Sequence, residues 1–226
     1  MKKMKLNEFL KAFGKLKAKG WVRSERRGPT GIGQTLEKHI GLTENNIASP
    51  DLGEIELKAH RINSSSMITL FTFNRKAWKM KPLEAIREYG TPDENGRIGL
   101  YFTMSRTPNS TGLFLHTESE YISVRHISGQ IIAEWNLQIL AEQFKKKIPA
   151  LILVSAFNEM RGDIEWFKFD RAQLLSGTSP DIIRSQILAD HIAFDIRFRN
   201  KSSSRESKFL VRNEFFHWLF KNWQDL

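Results

Sequence analysis

The chain is 226 residues long, enough for a single domain with a sizeable core. It contains no cysteine, which excludes disulfides and cysteine-based zinc sites, and we expect a cytoplasmic protein. Lys and Arg number 35 against 25 Asp and Glu, a net charge of +10 that favours a polyanionic partner such as DNA.

The N-terminal segment predicts an amphipathic helix docked on the core. Its apolar residues follow helical spacing at Leu6, Phe9, Leu10, Phe13 and Leu16, while most of its lysines lie elsewhere on the helical wheel. The segment has no continuous apolar run long enough for a signal peptide or a membrane span, so we expect no membrane partner.

The segment GPTGIGQTLEKHIGL (28–42) predicts a second helix. Thr30 can cap its start, and Gly33 would allow a backbone or a phosphate to approach closely. On the same face Glu37, four residues later, offers a carboxylate. The buried stripe of this helix recurs at intervals of four, at Ile32, Leu36 and Ile40.

The stretch SPDLGEIELKAH (49–60) is typical of a turn followed by a short strand that carries acids and a base. Side chains alternate along a strand, so Glu56 and Lys58 share one face while Leu57 points into the core. Asp51 lies in the turn, from which its carboxylate could reach back toward Glu56. Paired carboxylates and hard oxygen ligands favour Mg²⁺, and Lys58 could orient a water or stabilise a pentacovalent phosphate.

The rest of the chain predicts a mixed α+β fold. IELKAH (55–60) and ITLFTF (68–73) are interpreted as adjacent strands joined by a polar turn at 63–66. Short antiparallel strands are expected at GLYFTMS (99–105), GLFLHTE (112–118), YISVRH (121–126) and QIIAEWN (130–136). The apolar run ALILVSAF (150–157) is expected to form a fully buried strand.

The late segment carries candidate base-reading residues. Asp195 and Arg197 alternate on one strand face, Arg212 ends the next strand, and the loop 200–208 between them forms a basic hairpin. Arginine donates bidentately to guanine and aspartate can accept from cytosine, which suits a G·C-rich target. The alternative is a surface ion pair between Asp195 and Arg197 of small energetic value.

A second candidate DNA contact lies around Trp78. This ring is interleaved with cationic side chains, Arg75, Lys76, Lys79 and Lys81. Such a segment could stack on bases or clamp a phosphate backbone, and an exposed basic loop explains the pattern nearly as well.

Taken in chain order, five motifs resemble the MvaI/BcnI group of type II restriction endonucleases and, more distantly, the mismatch-repair nickase MutH. They are TGIGQTLE, PDLGEIELKAH, ITLFTF, EYGTPDENGR and FDIRF. The resemblance implies a catalytic centre at Glu37, Asp51, Glu56 and Lys58, with Asp51 and Glu56 holding the metal. By this resemblance, Asp195, Arg197 and Arg212 match recognition positions of the MvaI branch. That branch carries a histidine-containing segment before its last arginine, whereas this chain has RESKFLVR there.

The resemblance further implies a PD-(D/E)xK core, a mixed sheet flanked by helices, with two lobes around a DNA cleft. We expect a single endonuclease domain over 1–226, with a variable lobe at 75–120, a catalytic segment at 28–73 and a DNA-recognition segment at 191–213.

The predicted function is sequence-specific, Mg²⁺-dependent cleavage of double-stranded DNA by a monomer, with a companion DNA methyltransferase as a further candidate partner. Two alternatives are a MutH-like repair nickase and a DNA-binding protein of the same fold that does not cut.

Overall fold

The structure, a computed structural model, describes residues 4–42, 52, 55–62, 64, 67–72, 77–199 and 206–226. It is the mixed α/β protein expected from the sequence, and it divides into two compact units. The first unit comprises 1–65, 145–177 and 220–226, and the second comprises 66–144 and 178–219. None of the helices in the described ranges has the length and apolar character needed to span a bilayer.

The elements in chain order are as follows. The helices are α1 (Leu6–Ala18), α2 (Gly31–Ile40), α3 (Pro82–Tyr89), α4 (Leu137–Lys147), α5 (Pro180–Leu188) and a 3-10 helix (Asn213–Leu219). The strands are β1 (Trp21–Arg23), β2 (Ile55–Arg61), β3 (Met67–Thr72), β4 (Thr91–Pro92), β5 (Ile98–Met104), β6 (Leu113–Thr117), β7 (Tyr121–His126), β8 (Ile131–Asn136), β9 (Ala150–Arg161), β10 (Ile164–Ser176), β11 (Ile192–Arg199), β12 (Glu206–Arg212) and β13 (Asn222–Asp225).

The first unit is built on a mixed sheet of order β1-β10-β9-β2, with β13 also paired to β10. Strand β2 runs parallel to β9, and the other pairs are antiparallel. Helices α1 and α2 share one hydrophobic core with one face of this sheet. That core includes Phe9, Phe13, Leu16, Ile32, Leu36, Ile40, Leu57, Ile152, Val154 and Phe167. The predicted docked helix and the stripe of α2 are therefore confirmed. The strand predicted at 150–157 is also confirmed, but it is buried only over 151–156, because Phe157 is exposed.

The predicted pairing of IELKAH with ITLFTF is wrong. Strand β2 pairs with β9 in the first unit, whereas β3 pairs with β12 in the second. Sequence proximity favoured a local hairpin, but β2 instead gains a largely apolar parallel neighbour that is about a hundred residues away in the chain.

The second unit contains two antiparallel sheets. The larger has the order β3-β12-β11-β5-β4, and the smaller has the order β6-β7-β8. The predicted short antiparallel strands are confirmed, although β5 belongs to the larger sheet. Phe194 and Phe209 are buried on the apolar face of the larger sheet, and Trp135 of β8 packs against both rings at 4.7 and 5.3 Å between centroids. The residues that alternate with them, including Asp195 and Arg197, therefore share the opposite face.

Candidate active site

The carboxylate–ammonium pair of β2 is the centre of the candidate site. Leu57 is buried against α1 and α2, so its neighbours Glu56 and Lys58 project from the opposite face of the sheet. Lys58 Nζ lies 3.4 Å from Glu56 Oε1. The two side chains are 31% and 30% exposed, which leaves both accessible to a substrate. Within the described chain, β2 has only β9 as a strand neighbour, so the pair lies on an open edge.

The neighbouring strand gives this pair a largely apolar flank. In the parallel register, Glu56 lies beside Leu151 and Lys58 beside Leu153, and both leucines are buried. Charges that are partly shielded from water interact more strongly than charges in bulk solvent. The next position on the same face is polar, because His60 Nε2 and Ser155 Oγ are 2.6 Å apart.

Of the predicted catalytic residues, Asp51 lies outside the described residues. Its neighbour Leu52 is buried in the core and exchanges two backbone hydrogen bonds with Ile55 at 2.9 and 3.1 Å. These bonds tie Leu52 to the first residue of β2. The described residues contain no group of three or more potential metal ligands, and Glu56 is the one predicted metal ligand among them.

Glu37 lies half-buried on α2, the helix that packs against β2 through its buried stripe. The start of this helix is fixed differently from the prediction, because Thr30 makes no side-chain cap. Thr35, a completely buried residue, instead accepts a hydrogen bond from the Glu25 amide at 3.0 Å and donates to the Gly31 carbonyl at 2.7 Å. Thr35 thereby ties the preceding loop onto the helix that carries Glu37.

The close approach that was predicted at Gly33 occurs at Gly31. A Cβ atom at Gly31 would lie 2.3 Å from the Arg26 carbonyl oxygen and 2.7 Å from Ser24 Oγ, whereas a Cβ at Gly33 would have no atom of the described residues within 4 Å. Gly31 is therefore required by the loop folded against the helix start, and the approach of a phosphate to Gly33 stays a prediction.

Arg61 connects β2 to that same loop. Its Nε and Nη2 each donate to one carboxylate oxygen of Glu165 at 2.7 Å, and the two side chains are 18% and 16% exposed. The other donors reach the carbonyls of Pro29 and Gly28 at 3.1 and 3.2 Å. A planar bidentate donor suits this geometry, because one guanidinium serves a carboxylate and a backbone turn together. Arg61 thus fixes β2, three residues beyond Lys58, to the segment that enters α2.

This bridge predicts a pH-dependent stability. The Arg61 guanidinium lowers the pKa of Glu165 below its ordinary value of 4.5, against the opposing effect of burial. A lowered folded-state pKa stabilises the fold above the ordinary value, and that contribution disappears as pH falls through the folded-state pKa. In urea titrations, we expect the unfolding free energy of the wild type to exceed that of Glu165→Gln by a constant amount near neutral pH. The difference should shrink below about pH 4.5; a difference that grows on acidification would contradict the assignment.

In the second unit, the structure brings Asp195 and Arg197 together and separates both from Arg212. Arg197 Nη2 donates to Asp195 Oδ1 at 2.8 Å. Lys208 lies opposite Asp195 in the register of β11 and β12, and Arg212 lies four residues further along β12. At the rise of a strand, this spacing puts Arg212 about 13 Å along β12 from the position opposite Asp195.

The segment around Trp78 is only partly described. Trp78 is half-buried, packs against Phe198 in a tilted arrangement with 5.1 Å between ring centroids and pairs with Ala133 through a backbone bridge. These contacts make the ring part of the packing of the second unit. Arg75 and Lys76 lie outside the described residues, so their proposed DNA contacts remain predictions.

Comparison with known proteins decides the family. The model of the MvaI/BcnI restriction endonuclease family matches residues 10–224, nearly the whole chain. The chain belongs to the MvaI/BcnI restriction endonuclease family. This membership makes it a type II restriction endonuclease, a site-specific DNA nuclease of a class that generally uses divalent metal ions.

Two solved structures share the fold of this MvaI/BcnI family member. One is described as a restriction endonuclease MvaI–cognate DNA substrate complex, with a TM-score of 0.73, 21% identity and coverage of 98% of this chain and 99% of that chain. The other, restriction endonuclease MvaI in the absence of DNA, has a TM-score of 0.59, 22% identity and coverage of 100% and 99%. No curated protein sequence matches the chain.

Three residues around these sites were not predicted from the sequence: Arg61, Thr35 and Thr103. Arg61 stands only three positions after Lys58, on the core-facing side of the same strand. A cation in such a position needs a buried partner, and this is the signal that could have indicated Arg61. Thr35 lies on the buried side of α2, where a hydroxyl requires a hydrogen bond. Thr103 acquires its partner through strand pairing across 92 residues, and no local pattern indicates it.

Proposed function

We propose that this enzyme hydrolyses phosphodiester bonds of double-stranded DNA at a specific sequence with Mg²⁺, at the Glu56–Lys58 edge of the first unit. The observation that carries the proposal is the 3.4 Å pairing of a carboxylate and an ammonium group on an accessible edge strand of a restriction endonuclease. An acid that can hold a metal and a cation that can meet a phosphate belong together in phosphodiester hydrolysis.

The residues present fit Mg²⁺. Mg²⁺ in enzymes is commonly held by one or two carboxylates together with water and substrate phosphate oxygens. Glu56 supplies one such carboxylate on the open edge, and Asp51, four residues before the start of β2, would supply the second. A bound Mg²⁺ would polarise the phosphate and lower the pKa of an attacking water.

The side chains around the metal site would contribute to hydrolysis in different ways. Lys58 would orient the attacking water and donate hydrogen bonds to the phosphate oxygen on which negative charge develops in the transition state. Leu151 and Leu153 shield one flank of this ammonium group from bulk water, which strengthens its interaction with that charge. Glu37 on α2 would support the metal shell or its waters.

The partner we propose is duplex DNA. The net charge of +10 favours a polyanion, and the solved relative of highest TM-score given above is described in complex with its cognate DNA. The exposed face of the larger sheet would read bases through Arg197 and Arg212. We further propose that the enzyme acts as a monomer in the cytoplasm beside a companion DNA methyltransferase.

Supercoiled plasmid separates the proposed activity from its alternatives. A restriction endonuclease converts the plasmid to linear DNA in Mg²⁺ and leaves it supercoiled in EDTA. A MutH-like nickase would stop at open circles, and a protein that only binds would retard the plasmid in a gel without cutting it. Either of the last two outcomes at saturating enzyme and Mg²⁺ would overturn the proposal.

We expect DNA affinity to depend steeply on salt. Each phosphate that the cationic side chains neutralise releases counterions, so log K should fall with log[salt] by about 0.9 per phosphate contact on duplex DNA. Fluorescence anisotropy with a labelled duplex between low and physiological salt measures this slope. A response independent of salt would show that the excess of 35 cationic over 25 acidic side chains is not used for DNA.

A further inference from the structure

Asp195 has an unusual environment for an acidic side chain. Among the residues whose burial is described, it is the only Asp, Glu, Lys or Arg that is buried, with 7% of its surface exposed. Removing a carboxylate from water is costly unless hydrogen bonds replace the lost hydration. The partners of Asp195 therefore indicate why the fold retains it.

Two neighbours provide those hydrogen bonds. Thr103, directly opposite Asp195 in the register of β5 and β11, donates its hydroxyl to Asp195 Oδ1 at 2.7 Å. Arg197, two residues further along β11 and on the same face, donates from Nε to both carboxylate oxygens at 3.1 Å and from Nη2 to Oδ1 at 2.8 Å. Arg197 Nη2 also lies 3.4 Å from Thr103 Oγ1. The three side chains thus form a closed triangle across two strands.

The triangle holds one side of the guanidinium and leaves another side open. Arginine has five N–H donors in a planar fork. Nε and Nη2 face Asp195, while Nη1 makes no hydrogen bond to any described residue. The Arg197 side chain is 48% exposed and that of Asp195 only 10%, so the cation extends outwards from a buried anchor.

The neighbouring aromatic ring does not compete for this position. Tyr101 lies opposite Arg197 in the strand register. Its ring leans over Gly99, where an added Cβ would be 2.5 Å from Tyr101 Cε2. Gly99 and Thr103 are on opposite sides of Tyr101 along β5, so Arg197 can fold back toward Asp195 and Thr103.

We propose that Thr103 and Asp195 are positioning residues that hold the Nη1–Nη2 edge of Arg197 toward a guanine in the major groove. A guanidinium fixed in this way can donate to guanine O6 and N7 at a lower entropic cost, because the long side chain is already ordered before DNA binds. Thr103 then affects specificity without touching DNA. This inference rests on the proposed function, because it requires that Arg197 reads a base of the recognition sequence.

The hydroxyl of Thr103 performs two tasks in this arrangement. Its hydrogen goes to Asp195 Oδ1, and its oxygen faces Arg197 Nη2, so it fixes the carboxylate and limits the tilt of the guanidinium. Asp195 Oδ1 accepts from Thr103 and from Arg197 Nε and Nη2, whereas Oδ2 accepts only from Arg197 Nε among the described donors. Oδ2 is therefore the oxygen with room for an additional donor. A direct hydrogen bond from cytosine to Asp195 stays a prediction. Variants of Thr103 distinguish that role of Asp195 from its role in positioning Arg197.

The test measures base discrimination at fixed salt. The duplexes are the recognition site, identified by run-off sequencing of the cleaved plasmid, and its singly substituted versions. All proteins carry Glu56→Gln so that no duplex is cut in Mg²⁺. Thr103→Val removes the hydroxyl at nearly constant volume, Thr103→Ser retains it, and Thr107→Val is a matched change at another exposed threonine of the same unit. Arg197→Ala identifies the base pair that the guanidinium reads.

We expect Arg197→Ala to lose roughly 5- to 140-fold discrimination at that base pair. Thr103→Val should lose roughly two- to tenfold at the same base pair only, because one hydrogen bond is removed while the arginine remains. Thr103→Ser and Thr107→Val should discriminate like the parent protein. Adding Thr103→Val to Arg197→Ala should cause no further loss at that base pair.

The inference would be overturned if Thr103→Val discriminated like the parent, weakened all duplexes equally, or added its full effect to Arg197→Ala. A parent protein that preferred none of the duplexes would instead overturn the proposed site-specific function. Thermal unfolding of each variant shows whether the fold is retained, and the position-specific loss is a readout that general destabilisation does not produce.

Discussion

We expect Lys58→Met to lose DNA cleavage by at least about 10²–10³-fold and to leave DNA binding largely intact. The ammonium group lies 3.4 Å from Glu56 on an accessible strand edge, where it can meet the phosphate charge that develops during hydrolysis. Losing one such preorganised donor costs about 10²–10³-fold in rate, and more where the same group also orients the water. Initial rates of plasmid linearisation in Mg²⁺ measure the loss, and a gel shift on the same plasmid fragment measures binding.

Two variants accompany this measurement. Glu56→Gln should be similarly inactive, since an amide of the same shape is a far weaker ligand for a hard cation than a carboxylate. Lys168→Met is the matched control, because Lys168 is an exposed lysine on β10 of the same sheet, and it should cleave at the wild-type rate. Wild-type cleavage by Lys58→Met would remove β2 from the catalytic centre.

The second large effect is expected from Arg61→Met, which should lower the free energy of unfolding by about 2–4 kcal/mol. The substitution leaves the Glu165 carboxylate, which is only 16% exposed, with Asn158 as its remaining described side-chain partner. It also removes the hydrogen bonds that Arg61 donates to the carbonyls of Gly28 and Pro29. Chemical unfolding followed by tryptophan fluorescence is suited to the measurement, because Trp21 and Trp166 lie in the same unit.

Lys38→Met provides the comparison for Arg61. The Lys38–Glu25 pair lies in the same unit, but Lys38 is 65% exposed, so its loss should cost less than about 1 kcal/mol. Arg61→Lys should fall between the two variants, since lysine keeps the charge and loses the bidentate geometry. Equal stabilities for Arg61→Met and Lys38→Met would show that the bridge contributes no more than a surface ion pair.

The sequence predicted well those elements that are determined by local apolar periodicity. The stripe of Ile32, Leu36 and Ile40 predicted α2, and the continuous run at 150–157 predicted the buried part of β9, because burial on one or both faces leaves a direct trace in hydrophobic spacing. The acid and base of β2 were found in the same way, since alternation along one strand already places Glu56 and Lys58 on one face.

Features that depend on long-range pairing could not be predicted in this way. Strand β2 is separated from its neighbour β9 by residues 66–144, which belong to the second unit, so the nearby β3 was a misleading partner. The choice between Gly31 and Gly33 depends on where the loop at Ser24–Arg26 folds back, which the helical pattern does not contain. Thr103 contacts Asp195 only because β5 pairs with β11. Asp195 is buried in this paired arrangement, whereas the sequence pattern placed it on an exposed strand face.

Run-off sequencing of plasmid cut by this enzyme in Mg²⁺ tests the central claim most directly. If the Glu56–Lys58 edge cuts duplex DNA at a specific sequence, the read ends must fall at one recurring short sequence, on both strands, and disappear with EDTA or with Lys58→Met. Ends scattered without a common sequence, or recurring ends that persist in Lys58→Met at the wild-type rate, would contradict the account.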